Sequence, residues 1–230
     1  MMRAAIETFA RDGVVMIPGF LPDDVVARMA DEGWRSARPL MAGDDPGGLR
    51  TQEWPGGPLR IYDLIDGPVP TAAAFFDHPF VAEFAERTTT VGMHVLDEYL
   101  DVKYEIDGPD TNVVAHFDQW KVRLKFFLLL SDVGDEQAPF VYYSGSHRPG
   151  RWRERADKRV SRTGFAKFPA ARVAAVQRRE GFQRRVFTGR AGDLVIADTR
   201  GLHAGSVLRS GERLLAVRLY GMNGPQSWAC

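Results

Sequence analysis

The sequence predicts a mainly β protein, a barrel or jelly roll resting on a helical N-terminal support. Three observations carry this expectation. From about residue 93 the chain breaks into short runs rich in Val, Leu, Ile, Phe and Tyr, each bounded by Gly, Asp or Pro turn signals. Such runs in quick succession fit a barrel or sandwich better than a parallel sheet. Before residue 93 the pattern is helical, with loops. The length of 230 residues suits one domain whose core buries roughly 70–75% of the unfolded surface.

Residues 3–11 read as a short amphipathic helix ended by Asp12-Gly13, and Val14-Val15-Met16-Ile17 as a strand stopped by Pro18-Gly19. Pro22-Asp23-Asp24 opens a helix to about Arg35, with proline in the first turn and acids at the positive end of its dipole. The Gly- and Pro-rich stretch 38–58 predicts a long loop, of the kind that is usually functional or disordered. A helix over 79–89 follows, with Asp77 as its expected N-cap. Strands are expected at 93–99, 112–117, 122–130, 139–143, 184–188, 193–198, 204–208 and 213–220. We therefore expect one domain over 1–230: support and loop over 1–92, and a β core over 93–230 interrupted by a basic insertion at 148–185.

Composition excludes several classes. At 44% hydrophobic and 26% charged residues the chain falls among ordinary globular proteins. Its one cysteine, Cys230, cannot form an intramolecular disulfide or supply a zinc-finger ligand set. No apolar run reaches 18 residues, so no transmembrane helix is expected, and Glu7 comes too early for a signal peptide; a cytoplasmic protein without a membrane partner is the expectation. The zero net charge conceals an asymmetry: residues 1–110 carry a net −11 and residues 148–185 a net +10. The basic block suits an anionic ligand or nucleic acid, or a solvated segment facing the acidic part of its own domain.

Five histidines are present: His78, His94, His116, His147 and His203. His116 and Asp118 stand two apart at the end of an expected strand, so both point to one face while Phe117 packs behind. His203 follows the strand 193–198 across Gly201 and can supply a third ligand. Two imidazoles and a carboxylate form the facial set of non-haem Fe(II) oxygenases, and they also serve catalytic zinc. His-x-Asp alone is weak, since about 0.4 such pairs are expected by chance from this composition. His78, His94 and His147 read as structural histidines.

The surroundings of the pair are more specific. Asp12-Gly13-Val14-Val15-Met16-Ile17-Pro18-Gly19-Phe20-Leu21 is similar to the opening strand of the phytanoyl-CoA dioxygenase family of Fe(II)/2-oxoglutarate oxygenases. His116-Phe117-Asp118, the strand Lys125 to Val133, and Pro139-Phe140 through Gly145-Ser146-His147 resemble the same family's central segments. Gly192-Asp193-Leu194, His203 and Arg213 resemble its distal segment. The resemblance spans nearly the whole chain in the family's order.

It implies a double-stranded β-helix, cupin-like, with Fe(II) held by His116, Asp118 and His203. It implies 2-oxoglutarate as cosubstrate and O2 as oxidant, with a small-molecule substrate oxidised as succinate and CO2 form. A late basic residue should grip the distal carboxylate of 2-oxoglutarate through a bidentate fork, and Arg213, ten residues past His203, matches that position. Arg218 competes, but the odd spacing places the two arginines on opposite strand faces. Because Asp118 is present, hydroxylation or another oxidation is expected rather than halogenation.

Other candidates surround this set. Asn112 shares the face of His116 and could contact the cosubstrate, or be a turn-side polar residue. Lys121, Arg123 and Lys125 lie on one face; inward, Lys125 could touch a carboxylate, and outward all three are solvated. Gln119 and Trp120 could line a substrate pocket, and Trp54 and Arg148 could belong to a lid. The substrate could be anionic or carrier-tethered, given the basic block, and nucleic acid is not the expected partner. The rival reading is a metal-binding cupin-like barrel without oxygenase activity, an isomerase or binding module, to which Arg213 would be irrelevant.

Overall fold

A computed structural model describes residues 1–222 apart from 45–46, 54–55, 90–91, 106–109, 119–122 and 164–166. Helix α1 (Met2–Asp12) ends at Gly13, whose φ of +79° closes the last turn through its N–H to the Phe9 carbonyl at 2.7 Å. A Cβ at this position would also collide with His147 and the Tyr142 hydroxyl. Strand β1 (Val14–Ile17) follows, then α2 (Asp23–Met41), which outruns the expected end at Arg35; Pro39 falls in its final turn. Within the expected loop 38–58 the chain forms β2 (Thr51–Gln52), and just beyond it β3 (Leu59–Tyr62). A 3₁₀ turn and the short α3 (Ala73–Phe76) lead to α4 (Pro79–Thr88). The N-cap of α4 is His78 rather than Asp77: its Nδ1 accepts the Phe80 N–H at 3.2 Å, while Asp77 closes α3.

The strands β4 (Met93–Lys103), β5 (Arg123–Leu129), β8 (Leu194–Asp198) and β10 (Arg213–Met222) join β1, β2 and β3 in a seven-stranded antiparallel sheet of order β1-β8-β5-β10-β4-β3-β2. A second antiparallel sheet has the order β7-β6-β9, from β6 (Phe140–Ser144), β7 (Gln183–Phe187) and β9 (His203–Ala204). Two expected strands are shorter or absent. The 204–208 run contributes only its first residue to β9, and 112–117 is a 3₁₀ turn over Thr111–Val113 followed by isolated bridges from His116 to Lys167 and His203. The Asp110 carboxylate accepts the Asn112 N–H at 2.8 Å, so a local side-chain bond holds the backbone in a turn that β-branched composition alone would extend.

Alternation along each strand assigns the faces. On β10, Leu214, Ala216 and Tyr220 enter a core shared with α1, α2 and α4, while Arg213, Leu215 and Val217 face the second sheet. Aromatic rings tie the helices to the large sheet: Phe84 meets Phe9 at 5.2 Å and Phe126 at 5.9 Å, both edge-on. Between the sheets, Val14, Val195 and Ala197 pack against Tyr142 with Phe140 and Phe187. The basic insertion folds as α5 (Arg151–Thr163) and α6 (Ala170–Glu180), and Trp152, Ala156 and Val173 cover the outer face of the small sheet through Phe117, Val141 and Tyr143. Thus the insertion has a packing role, with its apolar side on the sheet.

Candidate metal centre

The two histidines meet because their backbones pair. The His116 N–H donates to the His203 carbonyl and the His203 N–H to the His116 carbonyl, each at 2.8 Å. A reciprocal antiparallel pair places both side chains on one face, and the ring centroids lie 4.5 Å apart. The Asp118 N–H donates to the Thr199 carbonyl at 3.0 Å, which fixes the carboxylate beside them.

The imidazole tautomers follow from what the Nδ1 atoms touch. His116 Nδ1 lies 2.7 Å from the Val114 carbonyl and His203 Nδ1 2.9 Å from the Gly201 carbonyl. A carbonyl only accepts, so both Nδ1 atoms carry the proton and both Nε2 atoms present lone pairs. Asp118 Oδ1 lies 3.8 Å from Nε2 of His116 and 3.5 Å from Nε2 of His203. One potential ligand atom from each of the three residues lies within 4.8 Å of the others. Adjacent ligands of a six-coordinate ion stand roughly 3 Å apart, so this spacing asks for a small contraction. His203 Nε2 is buried with no hydrogen-bond partner, a state that a bound cation would relieve.

Electrostatics keep the set in ligand form. Burial, reinforced by neighbouring His203, lowers the His116 pKa to about 4, so its ring is neutral near pH 7. Burial alone would raise the Asp118 carboxyl, but Lys125, then His203 and His116, reverse that and hold it well below the usual carboxylate range. Lys125 Nζ sits 2.7 Å from Asp118 Oδ2, as an ion pair rather than an aligned hydrogen bond.

A cavity of about 100 Å³ opens from His116 and His203 between the sheets. Among the candidates, Asn112, Lys125 and Arg213 line it. Lys125 points inward because it alternates with Leu124 and Phe126, which face the helix-side core. Asn112 reaches the cavity from the 3₁₀ turn, its carbonyl accepting the Gly205 N–H at 2.8 Å. Arg213 is buried; it donates to Asp101 Oδ1 at 2.7 Å and to the Ala138 carbonyl, and its Nε has no hydrogen-bond partner. Arg218 faces the other way, 2.9 Å from Glu98 and near Phe76. Arg148 does not line this cavity: it donates to the Arg11 carbonyl at 2.6 Å in a separate cleft with Asp12 and Trp152. Trp54, Gln119 and Trp120 lie outside the described residues.

Several cavity residues were not among those candidates. Tyr99, Asp101 and Lys103 line it from β4, and Arg60 from β3. Arg60 Nε lies 3.7 Å from Asp101 Oδ2, and its guanidinium stacks over Tyr99 at 4.5 Å. Burial depresses the Lys103 pKa, while its ammonium bonds Asp110 and, at 2.8 Å, the Ser206 carbonyl. The alternation Tyr99-Leu100-Asp101-Val102-Lys103 was the available signal, since a strand buried on one face sends every second residue to the other.

No protein-family model matches the chain, and no curated protein sequence does. Solved structures are similar. The non-haem α-ketoglutarate-dependent epimerase SnoN from nogalamycin biosynthesis matches at 20% identity and a TM-score of 0.68, over 96% of this chain and 83% of SnoN. AviO1 from Streptomyces viridochromogenes Tue57 matches at 19% identity and 0.66, over 98% and 96%. HygX from Streptomyces hygroscopicus, with nickel and 2-oxoglutarate bound, matches at 20% identity and 0.60, over 97% and 88%. Together with the two facing antiparallel sheets, these likenesses identify the fold as a cupin-like jelly roll, the double-stranded β-helix.

Proposed function

We propose that the protein is an Fe(II)/2-oxoglutarate-dependent oxygenase of the phytanoyl-CoA dioxygenase type, acting on a small organic molecule. One observation carries the reading: two Nε2 lone pairs and one carboxylate oxygen converge beside a cavity that also holds a buried arginine. Similar folds bear on it too, since SnoN has been crystallised with Fe3+ and α-ketoglutarate and HygX with iron.

His116, Asp118 and His203 would hold the iron. With the cosubstrate and O2 it supplies oxidising power, at the cost of 2-oxoglutarate cleavage to succinate and CO2. The protein's own contribution is positional. The Val114 and Gly201 carbonyls fix the imidazole orientation, and Lys125 fixes the carboxylate. Arg213 offers its charge to the distal carboxylate of the cosubstrate, held in place by Asp101 and Ala138. Phe127, Phe140, Leu129 and Leu215 line the cavity with apolar surface and limit water.

The substrate class follows less directly. SnoN has been solved with nogalamycin RO and HygX with hygromycin B, both small molecules, and SnoK is described as a carbocyclase. The reaction here is accordingly read as an oxidation of a natural-product-like molecule, with hydroxylation and oxidative ring closure as forms of it. An anaerobic titration with Fe(II) and then 2-oxoglutarate tests the proposal. We expect a visible metal-to-ligand charge-transfer band that Arg213→Ala weakens strongly and His203→Ala abolishes. Iron binding without a band in the wild type would transfer support to the non-oxygenase metal barrel.

A further inference from the structure

Resting on that reading of the metal site, we propose that Lys125 is a positioning residue for Asp118 that restricts it to one-oxygen coordination, rather than a contact for the cosubstrate. The two carboxylate oxygens of Asp118 are not equivalent. Oδ1 faces both imidazoles, 3.5 Å from His203 Nε2 and 3.8 Å from His116 Nε2. Oδ2 lies 2.7 Å from the Lys125 ammonium. The side chains of Lys125 and Asp118 are only 16% and 12% exposed, so their attraction is weakly screened.

The position of Lys125 is fixed by the sheet. Its residue pairs with Ala197 on β8 and Leu219 on β10, so it sits on a central strand bonded on both sides. Arg213 opens β10 six residues before Leu219, two residues beyond the first β10–β5 pair, Leu215 with Leu129. At roughly 3.3 Å per residue the two basic residues originate about 20 Å apart along the sheet. They therefore address different ends of the cavity: Lys125 at the metal set, Arg213 at the far end beside Asp101 and Ala138.

A three-ligand facial set leaves three positions on an octahedral ion. A chelating 2-oxo acid needs two of them. A carboxylate free to bind through both oxygens would take one and leave too few for chelate and oxidant together. By engaging Oδ2, Lys125 makes Oδ1 the oxygen offered to the metal and keeps those positions open.

The test loads the purified protein and its Lys125→Met and Lys125→Arg variants with Co(II). Each is then titrated anaerobically with oxalate or 2-oxoglutarate, and the saturated complex with azide as a probe of the remaining position, while the Co(II) absorption is followed. Oxalate chelates through two positions and has no distal carboxylate chain. Expected for Lys125→Met is retained binding of Co(II) and of both chelators with at least a tenfold loss of azide affinity at the saturated complex, and substantial recovery in Lys125→Arg. Weakened 2-oxoglutarate with unchanged oxalate would overturn the proposal and make Lys125 a cosubstrate contact. Unchanged azide affinity would overturn it and reduce the ion pair to a packing role. Wild-type protein that binds oxalate but not 2-oxoglutarate would defeat the oxygenase reading while the comparison for Lys125 stands. Wild-type protein that binds no Co(II) would overturn both.

Discussion

Asp101→Asn is expected to destabilise the metal-free protein substantially, because it strands a buried guanidinium. The Arg213 and Asp101 side chains are 10% and 11% exposed, and Arg213 Nη2 lies 2.7 Å from Asp101 Oδ1. Removing one member of a buried pair typically costs about 3–5 kcal/mol, since the remaining charge loses its compensation. Two details shift that figure in opposite directions. The asparagine oxygen can still accept from Nη2, and the Ala138 carbonyl still accepts from Nη1, which lowers the cost. Arg60 also faces Asp101, at 3.7 Å, and loses its own carboxylate, which raises it. We therefore expect about 3 kcal/mol, or roughly 6–12 °C in Tm at this chain length. Chemical denaturation of wild type, Asp101→Asn, Arg213→Met and the double variant gives the coupling directly, expected at about 2 kcal/mol or more. A single-variant loss under about 1 kcal/mol, or coupling near zero, would refute the reasoning. Under the oxygenase reading, metal plus saturating 2-oxoglutarate should stabilise Asp101→Asn more than wild type, because the ligand supplies the missing carboxylate.

Other expectations follow from single contacts. A Cβ at Gly201 would collide with the Tyr142 hydroxyl, which is fully buried and donates to the Asp198 carbonyl at 2.8 Å. Gly201→Ala should thus cost about 1–3 kcal/mol and weaken Fe(II) binding, because the Gly201 carbonyl orients His203; thermal denaturation and metal titration read both effects. His116→Ala and Asp118→Ala should each abolish stoichiometric Fe(II) binding while preserving the far-ultraviolet circular dichroism. Burial depresses the folded-state pKa of His116, to about 4, and also that of His147. The unfolded chain then takes up protons first, so the metal-free protein should lose stability as pH falls below about 6.5, by at most about 1.4 kcal/mol per unit and group. Denaturation midpoints between pH 7 and 5 should show that slope, reduced in His116→Ala and again in His147→Asn.

What could be read in the sequence depended on how local the governing contact was. Strands such as 123–129 and 194–198 announce themselves because burial on one or both faces demands β-branched and aromatic runs. Strands β2 and β3, which end the sheet, do not: they are two and four residues long and set among glycines and prolines, and their identity comes from β2 pairing with β3 and β3 with β4. The 112–117 segment misled in the opposite sense, since its composition favours extension and a single Asp110 bond to the Asn112 N–H makes a turn. His116 and Asp118 nevertheless reach one site, because long-range backbone bonds to His203 and Thr199 hold this segment against the barrel. Motif spacing and the family resemblance pointed to three potential ligands and one arginine, but the carboxylate partner of that arginine, Asp101, lies on β4, 112 residues away in sequence.

The cavity's charge balance explains why those partners matter. Four cations, Arg60, Lys103, Lys125 and Arg213, face it among the described residues. Three carboxylates answer them: Asp101 between two arginines, Asp110 on Lys103 and Asp118 on Lys125. The residues alone thus leave one positive charge, which a divalent ion would raise to three and a dicarboxylate would return to one. In a partly buried cavity, an excess of three charges would be costly without an anion. Metal and dicarboxylate should therefore bind with positive coupling: 2-oxoglutarate should tighten the metal, and the metal should tighten 2-oxoglutarate by the same factor. Lys103→Met, which removes a cation distant from the ligands but leaves Asp110 in place, should strengthen metal binding and weaken that coupling. Calorimetric titrations of metal with and without the dicarboxylate measure both quantities. Metal affinity that falls in this variant would show that the cavity's net charge does not govern the site.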